Sequence, residues 1–398
     1  MRMNKLDGLR GIASLMVIAY HYHETLLPGY IGYNFVVRSS ECFVDLFFVL
    51  SGFVISMNYG DRIHEMAGFK DFISKRFIRL YPLLLYSTLI YLAFDMLTSL
   101  LLPHLVNTPL TLKQQLLETT DTLIFTNSMP LLGRTEGMNY PSWSISSEMV
   151  SYIVFGLLSL SFHGRRGNKI LPPLFIIAAC SVFCLQQRTY FYAGNFGFVR
   201  GLLCFNLGII VHHLSKYRFR LHNGLEYLLP LAILAAFWFL QTFSGEQKHL
   251  FALFTVPLLF ACTIFVLSCT SGLISRFLET PVLQYLGRIS YSVYLNHAIV
   301  VLVFPRFVFR ILGVPNDNAY LILTFLLSIC IVLVYSGLTY RYIELNGAKW
   351  MRRAFYGGNM VQTAAGDDVR KRTLSPFPGQ TSPARPAAVN EQIVTGDI

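Results

Sequence analysis

Several ionisable residues lie inside long apolar stretches of the sequence, among them His21, Asp45, Glu148 and His297. Because an ionisable side chain is costly at membrane depth, each is a candidate for function. A neutral imidazole can accept a proton near pH 7, and a neighbouring carboxylate can orient it and stabilise its charged form. These residue types predict general-base chemistry by a histidine, with Asp45 or Glu148 in support.

Arg10 and His21 share one face of the first predicted helix. His21 follows Arg10 by eleven residues, which corresponds to about 1100°, or three turns and about 20°, and to a rise of roughly 16 Å. Arg10 would lie at one end of that helix and His21 in its far half. The positions of Asp45, Glu148 and His297 in their own stretches allow all three to share one layer with His21.

Several of the ionisable residues also have a purely structural interpretation. His23 and Glu24 could meet water at the end of the first helix, and His297 could be a hydrogen-bonded core histidine. Asp95 could serve helix packing, and Arg200 could neutralise a buried acid. Both interpretations stay open for these residues.

The composition places most of the chain in lipid. Of the 398 residues, 54% are hydrophobic and only 13% are charged, and the mean hydropathy is +0.51. An average soluble domain is about 25% charged. The composition therefore excludes a soluble globular enzyme and a disordered protein.

Ten stretches are long enough to cross a bilayer, which takes about 20 residues of helix. They are residues 8–27, 42–59, 80–102, 142–162, 170–187, 196–214, 225–243, 249–270, 285–305 and 319–341. The predicted fold is an all-α polytopic membrane protein with about ten transmembrane helices.

The net charge of +11 is a topology signal rather than a sign of nucleic-acid binding. With the N-terminus inside, 20 basic residues fall on the inner segments and seven on the outer ones. Since cytoplasmic loops carry the excess of Lys and Arg, both termini are predicted to be cytoplasmic. Residues 1–356 would form the membrane domain. Residues 357–398, rich in Gly, Pro, Ser and Thr, would form a disordered cytoplasmic tail.

The seven cysteines give no sign of a metal site. No CxxC pair or Cys/His cluster has metal-ligand spacing, and all but Cys42 fall inside long apolar runs. We expect no metal.

Five motifs occur in order along the chain. They are Leu6–Ala13 with His21, Asp45–Phe53, Arg76–Pro82, Ser142–Glu148 and Leu286–His297. With them the chain resembles membrane-bound acyltransferase family 3, typified by bacterial O-antigen, exopolysaccharide and Nod-factor O-acyltransferases. The resemblance covers residues 5–344, about 85% of the chain.

The resemblance implies an O-acyltransferase of the bacterial inner membrane. It would move an acyl group, most simply acetyl, from cytoplasmic acyl-CoA to a hydroxyl of a lipid-linked or exported glycan. Membrane lipid, the glycan and polysaccharide export machinery are the partners it implies, and acetyl-CoA is the co-substrate.

The resemblance also assigns residues. Arg10 and His21 match the family's essential pair, and Arg76 and Arg79, with Lys75 beside them, match the motif thought to hold CoA phosphates. Guanidinium groups suit that task because they bind phosphate oxygens bidentately. Candidates to bind the oxyanion or sugar hydroxyls are Ser51, Ser144, Tyr291, Asn296 and His297.

Two departures from the family pattern stand out. Glu344 lies where the family usually has Glu-x-Pro, but Asn346 replaces the proline. The fused hydrolase-like domain of some members has no counterpart here, so we expect the protein to act alone on its acceptor.

A proton-coupled transporter of a glycan or acyl donor is the main alternative, because such carriers also contain buried His, Asp and Glu. The sequence shows no internal repeat, which counts against a carrier. A scaffold in a polysaccharide export complex is a third interpretation, and it would not need His21.

Overall fold

A computed structural model describes residues 3–22, 27–101, 110–129, 131–132, 137–162, 169–188, 190–191, 196–217 and 219–357. Throughout this part of the chain the regular structure is helical. The helices are α1 Asn4–Tyr22, α2 Gly29–Gly32, α3 Phe35–Arg38, α4 Phe43–Tyr59, α5 Met66–Leu101, α6 Leu112–Leu123, α7 Trp143–Ser161, α8 Leu171–Gln187, α9 Gly197–Ser215, α10 Leu228–Thr242, α11 Gly245–Cys269, α12 Leu273–Leu278, α13 Pro281–Arg306, α14 Asn318–Thr339 and α15 Leu345–Tyr356.

Eight helical segments of the described residues are long and apolar enough to cross a membrane. They are Phe35–Tyr59, Met66–Leu100, Tyr140–Ser161, Gly197–Ser215, Asn223–Thr242, Gly245–Cys269, Pro281–Ile311 and Asn318–Tyr356. Helix α8 is apolar but shorter, and α1 carries Lys5, Asp7 and Arg10 in its first two turns. With these two helices the ten predicted spans are accounted for, and the prediction of an all-α polytopic membrane protein is confirmed.

The third predicted span begins earlier than expected. Helix α5 starts at Met66 rather than near residue 80, so four basic residues that precede the predicted span lie on the helix: Lys70, Lys75, Arg76 and Arg79. This first part is polar, and an exposed pair of Asp71 and Lys75, 2.6 Å apart at i,i+4 spacing, supports it. Hydropathy alone could not reveal this part because its residues are not apolar.

The chain forms two compact units, Met1–Lys349 and Trp350–Ile398. The predicted site residues all belong to the first unit, in which buried side chains from α1, α4, α7, α9, α11 and α13 form one apolar core. The predicted tail, residues 357–398, lies outside the described residues apart from Gly357. The domain boundary at residue 356 stays a prediction.

Helices α1 and α13 pack with their backbones almost in contact. A Cβ atom on Gly287 would lie 2.1 Å from the Asp7 carbonyl oxygen, and one on Gly11 would lie 2.9 Å from the Gly287 nitrogen. Small residues allow such an approach between membrane helices. Gly11 and Gly287 are each followed, ten residues later, by a histidine: His21 and His297. The close contact therefore brings two candidate site residues to the same height.

Helices α4 and α9 approach in the same way. A Cβ atom on Gly208 would lie 1.9 Å from the Val49 carbonyl oxygen, and one on Gly52 would lie 1.9 Å from the Phe205 carbonyl oxygen. Since backbone atoms cannot move aside as a flexible side chain can, any side chain at these positions pushes the helices apart.

Gly208→Val is therefore expected to destabilise the protein by about 1–3 kcal/mol or more. Thermal unfolding of the purified protein in detergent, followed by size-exclusion chromatography, measures the effect. Gly29→Ala is the matched control, because its new Cβ would lie 3.5 Å from the Tyr33 ring, an ordinary contact. Equal melting temperatures for the two variants would contradict the close α4–α9 contact.

Candidate active site

A cavity with about 740 Å³ of empty space lies between α1, α4, α5, α7 and α13. Its walls are apolar in part, but many polar side chains point into it. The polar lining residues are Arg10, Ser51, Arg76, Arg79, Ser144, Glu148, Tyr152, Ser290, Tyr291 and Tyr294. Residues from all five sequence motifs thus meet at one cavity.

Three arginines give the cavity its positive charge. Arg10 lies on α1, with its Nη1 3.5 Å from Asp7 Oδ1. Arg76 and Arg79 lie three residues apart on α5, which places them on neighbouring positions of one helix face. Arg76 Nη2 donates to the Tyr59 hydroxyl at 2.9 Å, whereas its buried Nε has no hydrogen-bond partner. Guanidinium groups with donors to spare suit a phosphate-bearing ligand.

Glu148 lines the same cavity as the arginines. Its Oε1 accepts a hydrogen bond from Ser51 Oγ at 2.5 Å and another from the Tyr152 hydroxyl. Tyr152 follows Glu148 by four residues on α7, and its ring also lies 6.0 Å from the Arg76 guanidinium carbon. The carboxylate is thus held by two hydroxyl donors beside the arginine cluster.

The two histidines lie in direct contact. The rings of His21 and His297 stack with centroids 5.0 Å apart and an interplanar angle of 28°. The edge of the stack is covered by Tyr140, whose ring centroid lies 5.0 Å from that of His21. His297 is completely buried, and its Nδ1 lies 2.7 Å from the Tyr294 carbonyl oxygen. Because a carbonyl oxygen only accepts, Nδ1 carries the proton and Nε2 keeps its lone pair.

Tyr294 connects the cavity to the histidine pair. Its side chain lines the cavity, and its ring centroid lies 5.8 Å from that of His297. The Tyr294 hydroxyl accepts a hydrogen bond from Ser144 Oγ at 2.9 Å. The arginines therefore line the cavity, whereas the histidine pair lies behind Tyr294 and is not among the lining residues. Along α1, roughly 16 Å separates Arg10 from His21.

Asp45 is paired with Arg200 of α9. Arg200 Nε lies 2.6 Å from Asp45 Oδ1 and Nη2 lies 2.9 Å from Oδ2, and both side chains are buried. The arginine also lies over the rings of Trp143, Tyr190 and Phe191. This confirms the interpretation of Arg200 as the partner of a buried acid.

The predicted layer of four ionisable residues is thus divided among three places. His21 and His297 meet, Glu148 joins the arginine cavity, and Asp45 is bound by Arg200. Position along a helix predicts depth. The direction in which each side chain points depends on which helices are neighbours.

The other predicted residues also have definite positions. Ser51, Ser144 and Tyr291 line the cavity, and the Tyr291 hydroxyl donates to the Leu80 carbonyl oxygen at 2.7 Å. Lys75 pairs with Asp71 on the exposed side of α5 and is not among the lining residues.

The remaining candidates bind within the helix bundle. Asn296 donates to Thr339 at 2.6 Å, Glu344 accepts from Ser292 at 2.8 Å, and Asp95 accepts from Gln115 at 2.7 Å. These contacts agree with a packing role for Asp95. His23 and Glu24 lie outside the described residues. Within the described ranges no group of three or more His, Cys, Asp or Glu could hold a metal ion.

Tyr152 and Tyr294 were not among the residues predicted from the sequence, although both contact predicted site residues. A signal was present for each. Tyr152 follows Glu148 by four residues and Tyr294 precedes His297 by three, so each pair shares a helix face.

Comparison with known proteins points to a family of acyltransferases. The profile of a family described as an acyltransferase domain matches residues 3–338. The chain is similar to Protein 2 in the picA locus of Rhizobium radiobacter, at 42% identity over 81 residues, covering 20% of this chain and 38% of that protein. It is also similar to the O-acetyltransferase OatA of Staphylococcus aureus (strain NCTC 8325 / PS 47), at 23% identity over 365 residues, covering 85% of this chain and 56% of that protein. The chain therefore spans only about half the length of the curated relatives it matches. No solved structure matches it.

Proposed function

This chain belongs to the acyltransferase-domain family, and we propose that it is an O-acetyltransferase of the bacterial inner membrane. In this proposal cytoplasmic acetyl-CoA is the donor, and a hydroxyl of a lipid-linked or exported glycan is the acceptor. The protein is a multi-pass membrane protein of acyltransferase type. The acetyl-CoA donor, the glycan acceptor, the inner membrane and the histidine base belong to the proposal.

The observation that carries the proposal is the arrangement of one cavity. Three arginines line it, and Tyr294 connects it to the His21–His297 pair. CoA has a diphosphate and a 3′-phosphate at one end and the thioester at the other end of its pantetheine arm. Its phosphates would bind Arg10, Arg76 and Arg79, which the distribution of basic residues places towards the cytoplasm. The arm would then bring the thioester to His21.

The transfer itself needs a base and an oxyanion donor. His21 takes the proton of the acceptor hydroxyl while the oxygen of that hydroxyl attacks the thioester carbonyl carbon. The new C–O bond forms, the C–S bond breaks, and the proton passes from His21 to the CoA thiolate. Because the Tyr294 hydroxyl accepts from Ser144, its own hydrogen can be donated to the developing oxyanion. Glu148 takes no part in the proton transfer of this proposal, and it would position the groups that bind the donor.

Binding of acetyl-CoA provides the test. Acetyl-CoA should raise the melting temperature of the purified protein, since a ligand at 100 times its Kd adds about 2.7 kcal/mol of stability. Arg79→Ala should weaken binding about 10- to 100-fold, because a hydrogen bond to a charged group contributes about 1.5–3 kcal/mol. Titration of the thermal shift with acetyl-CoA measures both effects.

Lys70→Ala is the control for this experiment. Lys70 is an exposed basic residue of the same helix that does not line the cavity. Equal affinities for the two variants would place the phosphates elsewhere. A wild-type protein indifferent to acetyl-CoA would favour a carrier.

A further inference from the structure

Three buried polar atoms near the histidine pair have no hydrogen-bond partner: His297 Nε2, Asn139 Oδ1 and the Tyr91 hydroxyl. The exposed fractions of these residues are 0%, 0% and 6%. Folded proteins rarely leave buried polar atoms unpaired, because the loss of hydration is then not recovered. These atoms, called here the outer polar set, come from α13, the segment before α7, and α5.

Hydrogen bonds and packing place the outer polar set in one region. Asn139 Nδ2 lies 3.4 Å from the carbonyl oxygen of Leu295, two residues before His297. It also donates to Ser87 Oγ at 3.1 Å, one turn before Tyr91 on α5.

Apolar packing completes the arrangement. Tyr91, Met138 and Ala298 form a small buried cluster, and Tyr140 packs against it. Tyr140 in turn contacts the His21 ring. The outer polar set therefore lies beside the proposed base.

The partners already present determine what the outer polar set can still bind. His297 Nδ1 donates to a carbonyl oxygen, so Nε2 can only accept. The amide nitrogen of Asn139 likewise faces a carbonyl oxygen, so Oδ1 can only accept. The Tyr91 hydroxyl can do either. An anion brings no hydrogen to such acceptors, whereas a hydroxyl does. Because the atoms belong to three different segments, a ligand must offer more than one donor group to satisfy them, and the neighbouring hydroxyls of a sugar ring are such a set.

We propose that the outer polar set is the acceptor site, and that it binds a sugar ring with neighbouring hydroxyls. His297 and Asn139 accept from hydroxyls beside the one that reacts, and Tyr91 makes a third bond. The reacting hydroxyl gives its proton to His21 as its oxygen takes the acetyl group from the CoA sulfur. This inference rests on the proposed function and names the residues that would hold its acceptor.

The test uses the 398-residue chain in nanodiscs, with acetyl-CoA and two kinds of acceptor. Octyl β-glycosides of glucose, galactose and mannose offer neighbouring hydroxyls, whereas 1-octanol offers one. At least one glycoside should be acetylated with a higher kcat/KM than octanol. Tyr91→Phe should raise the KM for that glycoside about tenfold, the equivalent of one hydrogen bond, with little change for octanol.

The melting temperature distinguishes a loss of acceptor binding from a loss of folded structure. Because the Tyr91 hydroxyl has no partner in the free protein, Tyr91→Phe should not lower the melting temperature or the affinity for acetyl-CoA. Tyr190→Phe is the matched control, since it removes another buried tyrosine hydroxyl, beside Arg200. It should leave the KM for the glycoside unchanged.

Two kinds of negative result separate the acceptor site from the proposed function. An unchanged KM for Tyr91→Phe, or a wild-type protein that prefers octanol to every glycoside, overturns the acceptor site but leaves acyl transfer standing. A wild-type protein that neither binds nor consumes acetyl-CoA overturns the proposed function, and the acceptor site with it.

Discussion

His21→Ala is expected to lower acetyl transfer by a factor of about 10²–10⁴, the usual contribution of a general base. The affinity for acetyl-CoA should be nearly unchanged, because the arginines proposed to bind the phosphates line the cavity, whereas His21 does not. Transfer of labelled acetyl from acetyl-CoA to a glycoside measures the first quantity, and the thermal shift with acetyl-CoA measures the second. The separation of the two effects follows from the roughly 16 Å between Arg10 and His21.

His64→Ala serves as the control, since His64 is an exposed histidine that precedes α5 and does not line the cavity. It should retain full transfer. Wild-type rates in the His21 variant would remove His21 from the role of base. Loss of acetyl-CoA binding in the same variant would show that the histidine acts on the donor site instead.

Asp45→Ala is expected to destabilise the protein by about 3–5 kcal/mol, because it leaves the buried Arg200 guanidinium without its carboxylate. Arg200 is 5% exposed and Asp45 0%, so water cannot replace the lost partner. Replacing both residues, as Asp45→Leu with Arg200→Met, should recover much of that loss, since apolar residues of similar volume often match a buried ion pair. Chemical denaturation of the purified variants measures each difference.

Activity of the double variant decides between structure and chemistry. If the ion pair only holds α4 to α9, the double variant should be stable and should retain acetyl transfer. A stable double variant without transfer would return Asp45 to the catalytic role that its place in the sequence motif suggests.

The position of a residue along its helix can be predicted from the sequence, but which helices are neighbours cannot. Among the described residues, hydropathy located the eight helical segments that are long and apolar enough to cross a membrane, and helical periodicity placed Arg10 and His21 on one face of α1. Asp45 was expected at the histidines, but it faces α9, where the narrow contact at Gly208 brings Arg200 within reach. Such contacts depend on small residues of two distant segments, and a pattern within a single helix does not contain that information.

The beginning of α5 illustrates a second limit. Its first turns are polar, so a hydropathy criterion excludes them, yet they carry Arg76 and Arg79 to the cavity. The arginine motif revealed that these residues matter. Only the structure places Arg10 of α1 beside them, across a space that also contains Glu148.

The equal spacing on α1 and α13 makes the histidine pair sensitive to chain length. His21 follows Gly11 by ten residues on α1, and His297 follows Gly287 by ten residues on α13. Removing one residue between the members of either pair would move that histidine by about 1.5 Å and turn it by about 100° around its helix. The same removal on both helices would turn each ring off the face where α1 and α13 meet, so it would not restore the contact. The length of chain from the close contact at the glycines to the histidine is therefore fixed on each helix separately.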